Sequence, residues 1–157
     1  MTTEAVATET YTGMKNRHQA EFDAFPMGYA FGEEQFRDML EKLECGEDDI
    51  APVGPGAYCR LEDVHSLRAM LDRQAAELNA ALKDPGFAFG AFLYEMDNHE
   101  YAINWQGDWD VFDCFGNVQY GPGKGPDEYA DELGWPYEMR KAYKMARSEH
   151  MRNFGEW

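Results

Sequence analysis

Carboxylates outnumber cations so heavily in this chain that it can hold a compact form only around a substantial, well-segregated apolar core. Thirty Asp and Glu stand against fourteen Lys and Arg, a net of −16 over 157 residues, and a charge of that size opposes compaction by self-repulsion. The offsetting material is present, since 44% of residues are hydrophobic and 15% aromatic, too many for an acidic disordered chain. A chain of this length suffices for one domain with its own core. The charge is uneven: residues 1–135 hold 27 acids and 9 bases, net −18, whereas residues 136–157 hold 3 acids and 5 bases, net +2. Such a surface repels nucleic acid and anionic lipid and attracts basic protein surfaces; acidic composition also serves solubility with no partner at all.

The apolar spacing predicts mostly helices. Phe36, Met39, Leu40 and Leu43 fall at i, i+3, i+4 and i+7 in Glu33 to Glu44, an amphipathic helix whose first-turn Glu33 and Glu34 suit the helix dipole and which Cys45-Gly46 stops. Further helices are expected over Met14 to Phe25, Glu62 to Lys83, Phe87 to Met96 (a buried strand being the alternative), Pro126 to Leu133 and Tyr137 to Arg152. Strands are expected at Met27 to Phe31 and Ala57 to Leu61, with a loop at Asp48 to Gly56. Tyr101 to Trp105 and Trp109 to Cys114 flank Gln106-Gly107-Asp108 and read as a hairpin, and Gly116 to Pro126 reads as a Gly/Pro loop. The expected fold class is α+β, several helices packed on a small, mostly antiparallel sheet. Residues 1–13 are expected to form a flexible polar tail without signal-peptide character, and residues 14–157 a single domain ending in a basic helix.

Motifs for chemistry are weak. Gly121-Pro122-Gly123-Lys124-Gly125-Pro126 lacks the Ser or Thr a phosphate loop needs after its Lys, and its prolines remove two backbone donors. Asp108, Asp110 and Asp113 do not make a calcium loop, because Phe112 interrupts the alternate donors and the required Gly is absent, and they read as solvated hairpin carboxylates. Cys45, Cys59 and Cys114 make no C-x-x-C pair, so they read as reduced thiols of a cytoplasmic protein. His18, His65, His99 and His150 form no local metal spacing. Capping is the ordinary reading of His99, a dyad with Glu95 or Glu100 the alternative. No membrane span is present in the apolar pattern.

The acids are arranged more specifically. On a helix, Glu34, Asp38 and Glu41 form one stripe opposite the apolar one, and Glu44, Glu47, Asp48 and Asp49 extend it past the helix end. Each four-residue step rises about 6 Å. A second cluster holds Asp127, Glu128, Asp131 and Glu132, with Tyr120, Tyr129 and Trp135 as aromatic neighbours. Like charges at i, i+4 cost a few tenths of a kcal/mol, about 0.2–0.5, so these lines are either a retained partner surface or a solvated face. Lys and Arg grooves that bind phosphate lines are the complement of such a surface. Arg140, Lys141, Lys144 and Arg147 of the last helix can pair with the acidic body, touch the same partner, or mediate self-association.

Asn16-Arg17-His18-Gln19, Phe22, Phe25-Pro26, Ala30-Phe31, Gln35-Phe36 and the run Phe92-Leu93-Tyr94-Glu95-Met96-Asp97-Asn98-His99-Glu100-Tyr101 resemble a family of small acidic proteins from anaerobic gut bacteria and their phages and mobile elements, over about residues 16–101. The family carries no activity or catalytic residues to transfer. The resemblance implies a mobile-element setting, in which anti-CRISPR and antirestriction inhibitors are often small, acidic and nucleic-acid-like. The expectation is therefore a non-enzymatic, cytoplasmic anti-defence inhibitor without cofactor or metal. Glu34, Asp38, Glu41, Glu44, Glu47, Asp48, Asp49, Asp127, Glu128, Tyr129, Asp131 and Glu132 would face a basic nucleic-acid-binding protein such as a CRISPR-Cas effector, with no direct contact to nucleic acid or membrane. The alternatives are a small enzyme or ligand-binding domain with a pocket near His99, and an acidic adaptor without mimicry.

Overall fold

The computed structural model describes residues 9–154. They form α1 (Tyr11–Ala24), β1 (Met27–Tyr29), α2 (Glu33–Leu43), β2 (Ile50–Gly54), β3 (Ala57–Arg60), α3 (Val64–Ala81), α4 (Pro85–Asn98), α5 (Trp105–Phe112), α6 (Pro126–Leu133) and α7 (Tyr137–Phe154). The fold class is α+β: helices with one three-stranded antiparallel sheet of order β1-β3-β2. Among the described residues no helix is long and apolar enough to cross a membrane. The described residues divide into two compact units, one of Asn16–Ala76 and the other of residues 9–15 with 77–154. The polar tail expected over residues 1–13 lies outside the described residues up to residue 8, and Tyr11–Gly13 are helical.

In the Asn16–Ala76 unit the period-two alternation of strands sorts side chains onto two faces. Met27 pairs with Cys59, and both pack with Phe22 of α1, Phe25 just after it, and Val64, Leu67 and Met70 of α3. Gly28 pairs with Tyr58 on the face covered by Phe36, Met39 and Leu43 of α2. A Cβ at Gly28 would run into Met39, so the missing side chain is what lets α2 lie on the sheet. The α2 helix ends as expected in place but not in kind: Glu44, not glycine, takes the left-handed conformation at φ 53°.

The expected loop at Asp48 to Gly56 is instead a short 3-10 turn, Glu47–Asp49, followed by strand β2. Its prolines and glycines hid the strand. β2 lies at the sheet edge, where a missing N–H is tolerated, and its register with β3 shifts between Pro52 and Gly54.

The other unit is built on α4 lying along α7, with α5 and α6 closing an aromatic core. Trp135 stacks between Phe92 (4.9 Å) and Phe112 (4.6 Å), and Tyr143 meets Phe112 at 4.5 Å. The expected hairpin is absent: Trp105–Phe112 is helix α5. The Asn104 side chain accepts from the Gly107 N–H at 2.7 Å as an N-cap, so Gln106-Gly107-Asp108 is a first helical turn and not a reversal. Val111 and Phe112, three and four residues beyond Asp108, share its buried face. A Cβ at Gly107 would strike the Ala102 carbonyl, which is why the turn-like glycine sits inside a helix.

Candidate functional site

The two acidic clusters, alike in sequence, differ in surroundings. Glu34, Asp38 and Glu41 are all exposed along α2, opposite Met39 and Leu43, and Glu44, Glu47, Asp48 and Asp49 continue the exposed line. Residues 33–49 carry eight acids and two bases. Arg37 is engaged by Glu33 at 2.6 Å, and among the described residues no ion pair holds Glu34, Asp38 or Glu41.

The α6 cluster is largely neutralised within its own unit. Asp131 meets Arg140 at 2.7 Å, Asp127 meets Lys144 at 3.5 Å, and Glu132 meets Lys124 at 2.7 Å. The Gln119 N–H and then Lys124 hold the Glu132 carboxyl below its ordinary range. Glu128 accepts from the Gly125 N–H at 2.7 Å and so caps its own helix. Of the three pairing modes open to the basic helix, internal pairing is the one observed for Arg140 and Lys144. Tyr129 is fully buried, its hydroxyl donating to the Trp105 carbonyl at 3.1 Å. That corrects its expected place on an exposed partner surface, because its ring fills the core beside Phe112. Trp135 is likewise core, and Tyr120 is exposed, edge-on to Trp105 and Trp109.

A second arrangement centres on Glu95, which is 1% exposed. Helix α4 supplies Glu95 and, one turn on, His99 at its C-cap. Helix α1 supplies Tyr11 and Lys15, likewise one turn apart. Cys114 follows α5. Oε2 of Glu95 accepts from the Tyr11 hydroxyl and from Lys15 Nζ at 2.9 Å, while Lys15 also lies over the Tyr11 and Tyr94 rings. Oε1 is the freer oxygen, 3.4 Å from Asn98 Nδ2 and 3.6 Å from His99 Nε2. Cys114 Sγ is 3.5 Å from the same Nε2 and donates to the Asp110 carbonyl at 3.3 Å. Burial pushes the Glu95 carboxyl up, but the Tyr11 and Lys15 hydrogen bonds and the Lys15 charge outweigh it and hold it below the ordinary range. Burial, then the Glu95 charge, pushes the Cys114 thiol up to about 12. The thiol is therefore protonated at neutral pH, and Cys114–His99–Glu95, though shaped like a nucleophilic triad, does not present a thiolate.

Two further buried polar groups lie in this unit. Asp108 is 4% exposed and Oδ1 accepts from both Tyr101 and Tyr143 hydroxyls at 2.7 Å. Burial raises its carboxyl above the usual range despite both tyrosines and Arg147. This corrects the reading of Asp108 as a solvated hairpin carboxylate; the i+3, i+4 apolar pair Val111 and Phe112 was the signal that placed it inward. His150, also buried, sits 2.6 Å from Asp97. A groove of about 550 Å³ in the same unit is lined by Phe89, Tyr137, Lys141 and Met145. His99 is not among its walls, and its side chain is 36% exposed.

No curated protein and no solved structure matches this chain. A family model does, described as a family of unknown function, DUF7659, over residues 10–120. That span takes in α1 to α5, the α2 acidic line and Glu95, His99 and Cys114, and stops short of α6 and α7. With most of its length matched, the chain belongs to the DUF7659 family.

Proposed function

We propose that this protein is a non-enzymatic inhibitor whose α2 face and following 3-10 turn occupy a Lys/Arg groove on a nucleic-acid-binding protein. The observation that supports the reading is the contrast between the two acidic clusters. The α6 acids are matched by Lys124, Arg140 and Lys144, whereas the seven carboxylates from Glu34 to Asp49 stay exposed. Exposed like charges one helical turn apart cost stability, and a basic groove would repay that cost while steering fast association. The resemblance to phage and mobile-element proteins points to a CRISPR-Cas effector as the target, in a reducing cytoplasm where Cys45, Cys59 and Cys114 remain free thiols.

The test is capture by the tagged protein from a lysate of its native host, eluted with a salt gradient and then challenged with duplex DNA. The expected result is a basic nucleic-acid-binding protein that DNA displaces. Its affinity should fall by at least about tenfold in the triple reversal Glu34→Lys, Asp38→Lys, Glu41→Lys, the loss expected when complementary charges become repulsive. Retention of the captured protein by the triple variant, or indifference to DNA, overturns the reading and leaves the acids to solubility.

A further inference from the structure

We propose that Glu95, His99 and Cys114 form a binding site for a single borderline-soft divalent cation of the zinc class. Three chemically different donors converge here: a carboxylate oxygen, an imidazole nitrogen and a sulfur, all within 4.8 Å of one another. Zinc bonds of about 2.0 Å to nitrogen or oxygen and about 2.3 Å to sulfur imply, at tetrahedral angles, donor separations of about 3.5 Å for N···S and about 3.3 Å for N···O. The observed separations are 3.5 Å from His99 Nε2 to Cys114 Sγ and 3.6 Å to Glu95 Oε1. Two of the three donor separations thus match the edges of a coordination tetrahedron, and the third, Glu95 to Cys114, is within 4.8 Å.

The outer surroundings fit as well. Metal-ligating carboxylates are themselves hydrogen-bonded, which fixes their orientation. Here Tyr11 and Lys15 both hold Oε2 and leave Oε1 toward His99. Lys15 is the opposing feature, a cation beside the site that shares the Glu95 carboxylate, but it is 45% exposed and so partly solvated. The three ligands alone, a carboxylate, a thiolate and a neutral imidazole, offset the charge of a divalent ion, and the half-exposed Lys15 ammonium is left as the one excess positive charge. On binding, the sulfur–metal bond forms as the Cys114 S–H bond breaks, and the proton goes to solvent. The exposed side of His99 leaves the fourth position to water or to a donor from outside the chain, the open arrangement of a three-ligand site. A mixed S/N/O set favours zinc, and cobalt as its spectroscopic substitute, over magnesium or calcium, which take oxygen donors.

The test is titration of the untagged full chain with Co²⁺ and then Zn²⁺ salts, read by absorption. One Co²⁺ per chain with a thiolate-to-metal charge-transfer band, bleached by Zn²⁺, is expected. His99→Gln and Cys114→Ser should each weaken binding by more than about 100-fold, since loss of an outer partner alone costs 10–100-fold. Cys45→Ser, a thiol in the other unit, should leave it unchanged. X-ray absorption at the zinc edge on the unmutated protein should show one sulfur together with imidazole nitrogen, a readout that does not depend on any variant folding. Absence of the band, its survival in His99→Gln or Cys114→Ser, its loss in Cys45→Ser, or a zinc shell without sulfur each overturns the proposal.

Discussion

Replacing Asp108 separates two roles that a buried carboxylate can play. Its Oδ1 is the acceptor for two tyrosine hydroxyls, Tyr101 and Tyr143, each at 2.7 Å, with both rings buried. Asp108→Ala strands both hydroxyls, and a buried unsatisfied polar group costs about 1–3 kcal/mol. Two of them together give a loss of about 2–6 kcal/mol, or roughly 10 °C in Tm for a chain of this size. Asp108→Asn keeps an oxygen acceptor and removes the buried charge, so its cost at neutral pH should stay within about 1 kcal/mol. The pH dependence follows from the direction of the shift. Because the folded carboxyl titrates above its unfolded value, the folded state binds the proton more readily, and the charge destabilises the fold at all pH values above that titration. Stability contributed at this site therefore rises as pH falls from the folded value toward the unfolded one, and Asp108→Asn should remove that rise. Urea melts at pH 7 and at stepped acidic pH, for the parent and both variants, measure all of this. Equal losses in Asp108→Ala and Asp108→Asn, or an unchanged pH profile in Asp108→Asn, would refute the account.

Two glycines and one glutamate give sharper local checks. Gly90 in α4 has open space where a Cβ would go, whereas a Cβ at Gly107 in α5 meets the Ala102 carbonyl. Gly90→Ala should thus stabilise by about 0.5–1 kcal/mol through helix propensity, and Gly107→Ala should destabilise by about 1–3 kcal/mol through overpacking, both read by thermal melts followed by far-UV circular dichroism. Glu44 holds φ 53° at the end of α2. Glu44→Gly should gain about 1 kcal/mol by relieving left-handed strain, and a loss in the same melt would show that its side chain contributes more than its backbone costs.

The sequence carries the helices well because their apolar residues recur with the helix period: α2, α4, α6 and α7 lie where Phe36, Phe92, Pro126 and Tyr137 place them. Its errors over the hairpin and the loop share one cause, the reading of Gly and Pro as punctuation. Gly107 is in a helix because only a hydrogen side chain clears Ala102, and Pro52 is in a strand because that strand is an edge. Both facts are tertiary, and the one local trace of α5 is the i+3, i+4 pair Val111 and Phe112 beyond Asp108. The Glu95 cluster shows the same limit in another form. Glu95 and His99 are one turn apart on a helix the sequence does reveal, but Cys114 reaches them only because Trp105–Phe112 coils as α5. Read as a strand, that segment hid the third donor, and the four histidines showed no metal spacing along the chain.

The acidic surface makes the complementary point. Glu34, Asp38 and Glu41 and Asp127, Asp131 and Glu132 are equally acidic, and each set holds an i, i+4 pair, yet Arg140, Lys144 and Lys124 pair with the second set. The basic bias of the last 22 residues is therefore partly an internal counter-ion for α6, which removes much of the reason to seek a partner there. Among the described residues, the seven carboxylates from Glu34 to Asp49 stay exposed and outside any ion pair, so the question of a partner centres on that helix face and the turn after it. Repulsion among exposed carboxylates is screened by salt, as is attraction to a basic groove, but only the second depends on Glu34, Asp38 and Glu41 together. Binding that survives reversal of those three charges would mean that the exposed face is surface chemistry alone.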